Sequence, residues 1–108
     1  MKALLEAWEA SLESFFLTLE QEGRGSIQAW VTVRVVPEGE VNELLLIVQG
    51  KGCSPSQELG GTDELWGHVD SLKPAELNEW DTSWPTGSYF QWSVGQDEFE
   101  GFVFRKEA

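Results

Sequence analysis

His68 and Cys53 are the one histidine and the one cysteine of this 108-residue chain. Any thiolate or imidazole chemistry must come from them. A thiol beside an imidazole makes a nucleophile and its base. The segment Lys51-Gly52-Cys53-Ser54-Pro55 offers no recognisable helix N-terminus to lower the thiol pKa, so Cys53 reads as a small side chain in a turn. A structural zinc site would need two carboxylates besides this pair. Asp63, Glu64 and Asp70 lack the alternating spacing, central glycine and closing glutamate of a calcium loop. Gly60-Gly61-Thr62 has no following lysine, and Asp63-Glu64 come next, where a phosphate would be repelled. Carboxylate pairs at glycosidase spacing carry no information, because nineteen acids bring some pair to that separation by chance. The expectation is a protein with no catalytic residue, no metal and no cofactor.

A different constellation stands out between Glu58 and Asp81. Seven acids (Glu58, Asp63, Glu64, Asp70, Glu76, Glu79, Asp81) face Lys73 alone, and Trp66, Trp80 and Trp84 are half of the six tryptophans in or beside this stretch. Tryptophan is enriched among interface hot spots, and carboxylates around it suit a partner rich in lysine and arginine. The partner-binding site expected from sequence is therefore Asp63, Glu64, Trp66, Glu79, Trp80, Asp81 and Trp84. The competing reading puts the indoles in the core, closing the sheet beneath a loop.

Charge points the same way. Nineteen acids against seven bases give a formal net charge of −12. That field repels nucleic acid and anionic lipid and speeds association with cationic surfaces; its plainer reading is solubility. The six tryptophans and six phenylalanines supply enough bulk for a real core, which argues against disorder. A single cysteine allows no intrachain disulfide. No basic segment followed by an apolar run opens the chain, and Glu6, Glu9 and Glu13 do not suit a signal peptide or membrane span. A cytoplasmic location is expected.

Such residues need elements to hold them. On a helical wheel, Leu4, Leu5, Trp8, Leu12, Phe15, Phe16 and Leu19 fall in one arc of about 120°. Glu6, Glu9, Glu13 and Glu20 form a stripe about 60° wide beside it, so Leu4–Glu20 reads as an amphipathic helix with Gly23 as its left-handed stop. Ser26–Val36 reads as a strand with Ile27, Ala29, Val31, Val33 and Val35 on one face and Gln28, Trp30, Thr32 and Arg34 on the other. Pro37–Glu40 forms the turn, and Val41–Gln49 returns as a central strand. Residues 50–87 show no periodicity and read as a long loop, with one short helix opening at Pro74. Ser88–Val94 and Glu98–Arg105 make a second hairpin about Gly95-Gln96-Asp97. Phe102 and Phe104 are expected inward, which brings Glu98 and Glu100 to the same face.

The expected fold is α+β within a single domain spanning 1–108. A four-stranded antiparallel sheet of two hairpins carries the N-terminal amphipathic helix on one face, and a long loop carries a short helix. The profile is shared, as a class and with no motif matched residue by residue, by toxin-neutralising immunity proteins and nucleic-acid mimics. The leading expectation is thus a small acidic inhibitor masking a basic protein surface such as that of a nuclease toxin. Two alternatives stand beside it. One is an accessory or structural subunit of a homo-oligomer, a homodimer included, or of a larger assembly, pairing through a sheet edge or the face bearing Trp30. The other is a small-molecule binder with an aromatic pocket lined by Trp66, Trp84 and Trp92.

Overall fold

The computed structural model describes residues 2–23, 30–77, 80 and 88–107. Helix α1 spans Lys2–Gln21 and buries Leu5, Trp8, Leu12, Phe16 and Leu19, all within the arc that the wheel defines. It ends where the Glu22 amide donates to the Thr18 carbonyl and Gly23 turns to φ 74°, a conformation that glycine adopts without steric cost.

Strands β1 (Trp30–Glu38) and β2 (Val41–Lys51) form the first hairpin. Its turn is shorter than the expected Pro37–Glu40: Glu38 pairs with Val41, leaving Gly39 and Glu40 as the two-residue loop. Gly39 sits at φ 63° and, among the described residues, no other residue type has positive φ, which matches a type II′ hairpin with glycine first. The second hairpin, β3 (Ser88–Val94) and β4 (Asp97–Glu107), repeats the device with Gly95 at φ 63°. The sheet order is β1-β2-β4-β3, antiparallel throughout. The architecture is α+β, as expected. The two longest strands, β2 and β4, lie at the centre and join the hairpins from Val41 opposite Glu107 to Lys51 opposite Asp97.

Pro37 is compatible with strand structure for a specific reason. The Val33 amide points away from β2, because it donates to the Glu9 carboxylate of α1. Amide direction alternates along an antiparallel strand, so position 37 also faces away from β2. Proline has no N–H to leave unpaired there.

Residues 50–87 depart from the expected long loop. Helices α2 (Pro55–Leu59) and α3 (Thr62–Ser71) fill much of the stretch. The helix expected from Pro74 is only a 3₁₀ turn, Ala75–Leu77. Gly60, at φ 102°, ends α2, and Gly61 opens α3. The adjacent glycines that suggested a loop are therefore a stop and a start placed back to back. Residues 78–79 and 81–87 lie outside the described residues, as does the part of the first expected strand at 26–29.

All three described helices cover one face of the sheet. Val31, Val33, Leu44, Leu46, Val48, Phe102 and Phe104 point into that layer, against Leu65, Trp66, Val69 and Leu77 together with the buried stripe of α1. The expected inward pair Phe102 and Phe104 is observed, each less than 2% exposed. Trp8 crosses from α1 to α3, its indole N–H donating to the Val69 carbonyl at 3.0 Å within the core. Trp80 is also buried, but its Nε1 has no hydrogen-bond partner among the described residues.

These two indoles predict a contrast. Trp8→Phe removes one of the two donors to the Val69 carbonyl, which keeps the Leu72 amide at 3.3 Å, whereas Trp80→Phe removes a buried N–H with no hydrogen-bond partner among the described residues. Urea unfolding should therefore show a loss for Trp8→Phe about 0.5–1.5 kcal/mol larger than for Trp80→Phe. Equal losses would contradict the assigned bond.

Candidate functional site

The charge of the chain is unequally divided between the two layers. The helical side, residues 2–23 and 52–77, carries ten acids against Lys2 and Lys73. The strands, residues 30–51 and 88–107, carry seven acids against four bases. Asp63 and Glu64 are exposed in the first turn of α3. They face the positive end of the helix dipole, and Gly61 makes no side-chain cap bond there, so both carboxylates stabilise the helix start. Glu58, Asp70 and Glu76 are exposed on the same layer.

The aromatic half of the expected site is different. Trp66 is 8% exposed and Trp80 4%, so both rings belong to the core and not to an outer surface. Trp66 packs with centroids 4.9 and 5.1 Å from Phe102 and Phe104, because the spacing Leu65, Trp66, Val69 turns one face of α3 onto the sheet. The Lys106 ammonium stands 5.7 Å over the Trp80 ring. Glu79, Asp81 and Trp84 lie outside the described residues. Of the seven expected site residues, the structure brings Asp63 and Glu64 together at the surface.

The pocket expected from Trp66 and Trp92 does not form, since the rings lie on opposite faces of the sheet. Trp92 stacks on Phe99 (4.9 Å, 5° between planes) and on Phe90 (5.2 Å, 12°), on the face away from the helices. Phe90 lies directly over Gly101, where any Cβ would collide with its ring. A groove of about 660 Å³ runs between α1 and β1 and is lined by Lys2, Leu5, Glu6 and Glu9 with residues 32–35. Glu9 thereby has a role that the wheel did not assign. Its Oε2 accepts the Val33 amide at 2.9 Å, so part of the Glu stripe flanks the edge of β1 instead of facing only solvent.

Cys53 immediately precedes Ser54, the cap position of α2, so a helix N-terminus does follow it, contrary to the sequence reading. His68 stacks on Phe15 at 4.8 Å. Among the described residues, no three His, Cys, Asp or Glu side chains converge as a metal-binding group. No helix among them is long and apolar enough to cross a membrane.

The most constrained polar group is Glu100. It is fully buried on the helix-covered face of β4. Its Oε2 accepts the Ser56 amide at 2.8 Å. Its Oε1 accepts the Tyr89 hydroxyl at 2.6 Å, the Ser54 hydroxyl at 3.3 Å and the Ser56 hydroxyl. Buried carboxylates persist where donors of this number satisfy them. The cluster ties the start of α2 and strand β3 to the centre of the sheet. Inward placement of Phe102 and Phe104 was the sequence signal for it, because alternation carries Glu100 inward with them.

Comparison of the chain with protein-family models, with curated proteins and with solved structures gave no match.

Burial pushes the Tyr89 phenol above its usual value near 10, and the hydrogen bond to Glu100 and that carboxylate's charge push it the same way. The native state then holds its proton more tightly than the unfolded chain. The associated stability is fully present below about pH 10 and is lost as pH rises through the folded pKa. Tyr89 is the one tyrosine of the chain, so phenolate absorbance reads it directly. A titration midpoint above 10 is expected, falling towards 10 in Glu100→Gln. A midpoint at or below 10 in the native protein would refute the contact.

Proposed function

We propose that this chain is a small acidic binding module that covers a basic protein surface, in the manner of an inhibitor or immunity-type protein. The observation that carries this reading is the charge division, with a net −8 on the helical side against −3 on the strands. An anionic layer of this kind guides a cationic partner to one side of the molecule, raises the encounter rate and excludes anionic competitors. Asp63 and Glu64 at the start of α3, with Glu58 and Asp70 nearby in sequence, are the contact residues proposed. Trp66 and Trp80 hold α3 and the 3₁₀ segment on the sheet, and so act on stability and not on contact.

The same reading accounts for the backing of the surface. Leu65, Trp66 and Val69 are fixed in the core beneath Asp63 and Glu64, so the carboxylates stand on an ordered support. Preorganised charges lose less entropy on binding than charges on a free loop. A nuclease toxin, whose substrate cleft is basic, has the matching chemistry.

The test is capture of basic proteins from the native host on the immobilised chain, followed by association kinetics with the captured partner. The association rate is expected to fall about tenfold between roughly 0.05 and 0.5 M salt. The pair Asp63→Lys and Glu64→Lys should slow association several-fold, with a modest fall in unfolding midpoint from the lost charge at the start of α3. An association rate indifferent to both salt and these reversals would overturn the proposal.

A further inference from the structure

The sheet face away from the helices is as apolar as the helical side is charged. Leu45 and Ile47 of β2, Phe99 and Val103 of β4, and Phe90 and Trp92 of β3 alternate outward across it. Trp92 is 36% exposed and Val94, beside it, 61%. The charged side chains described on this face balance. Arg34, Lys51 and Arg105 stand against Glu38, Glu43 and Asp97, and Arg105 is already paired with Glu43 at 2.9 Å.

We propose that this face docks a second copy of the chain, sheet against sheet, in an isologous dimer. Charge selects that occupant. Two molecules of net charge −12 repel on every approach that brings helical sides together, and repulsion is least where the surface is neutral. Docking through the outer face also sends both anionic layers outward, to the greatest separation the pair allows. A cationic partner is drawn instead to the helical side, so the two surfaces sort two kinds of ligand.

Size is consistent with this. Four strands spaced about 4.8 Å apart and averaging about 32 Å long present roughly 600 Å² per copy. The total of about 1,200 Å² lies at the lower end of specific interfaces. The stacked rings Phe90, Trp92 and Phe99 lie on the face as anchors of the type that dominate such contacts. Gly101 lets Phe90 lie flat on the backbone, where a side chain would lift it. The inference uses a surface separate from that of the proposed function and stands whether or not a basic partner is found.

Sedimentation equilibrium of the purified chain tests it. A dimer is expected at micromolar concentrations, with a dissociation constant that falls about tenfold as salt rises from roughly 0.05 to 0.5 M, because screening removes like-charge repulsion. This dependence is opposite in sign to that expected for a basic partner, so either reading can fail alone. Ile47→Glu, at the middle of the face, should give a monomer with an unchanged far-ultraviolet circular dichroism spectrum. Should that variant not fold, Val94→Glu, at a largely exposed position, should weaken the dimer at least several-fold. A monomer at millimolar concentration in high salt would overturn the proposal. A dimer untouched by these changes but broken by Asp70→Lys would overturn it as well.

Discussion

The Glu100 carboxylate is the constraint around which the helical layer is arranged. It lies fully buried on a central strand, where an unpaired charge would be strongly destabilising. Its donors come from two directions, Ser54 and Ser56 at the start of α2 and Tyr89 on β3. Satisfying it therefore fixes where α2 begins. Gly50, next to that start, has no room for a side chain, since a Cβ there would strike the Cys53 carbonyl and the Pro55 ring. With α2 set, Gly60 and Gly61 turn the chain into α3, whose Leu65, Trp66 and Val69 close the core. One polar contact thus governs the entry of three large apolar side chains.

Much of the fold was legible from periodicity. The helix wheel and the two hairpins appear where alternation puts them, with each turn tighter than turn chemistry suggested, two residues led by glycine. Period-two and period-3.6 patterns report directly on which side of an element is buried. The α3 helix was missed because Gly60, Gly61 and Gly67 resemble loop punctuation, and a ten-residue helix offers few turns of pattern to outweigh them. Its signals were nevertheless present: acids in the first turn, then Leu65, Trp66, Val69 and Leu72 at helical spacing.

The candidate site was half legible. Acids are exposed almost by default, so Asp63 and Glu64 were safe inferences. Indole rings serve cores and interfaces equally well, and composition does not separate the two uses. Trp66 is inward because its neighbours Leu65 and Val69 share its helix face, a local pattern that outweighs any regional count of tryptophans. Trp92 shows the reverse. Placing Phe102 and Phe104 inward puts Phe99 outward, and Trp92, opposite Phe99 in register, goes with it to the open face.

Glu9 has a consequence for how sheets of this chain can grow. Its carboxylate occupies the Val33 amide on β1, and Pro37 on the same border carries no amide at all. A filament built by adding strand to strand needs two receptive borders on every molecule, one to receive and one to donate. Here two positions of one border, 33 and 37, offer no amide to an incoming strand, one because the chain's own first helix occupies it and one because it is proline.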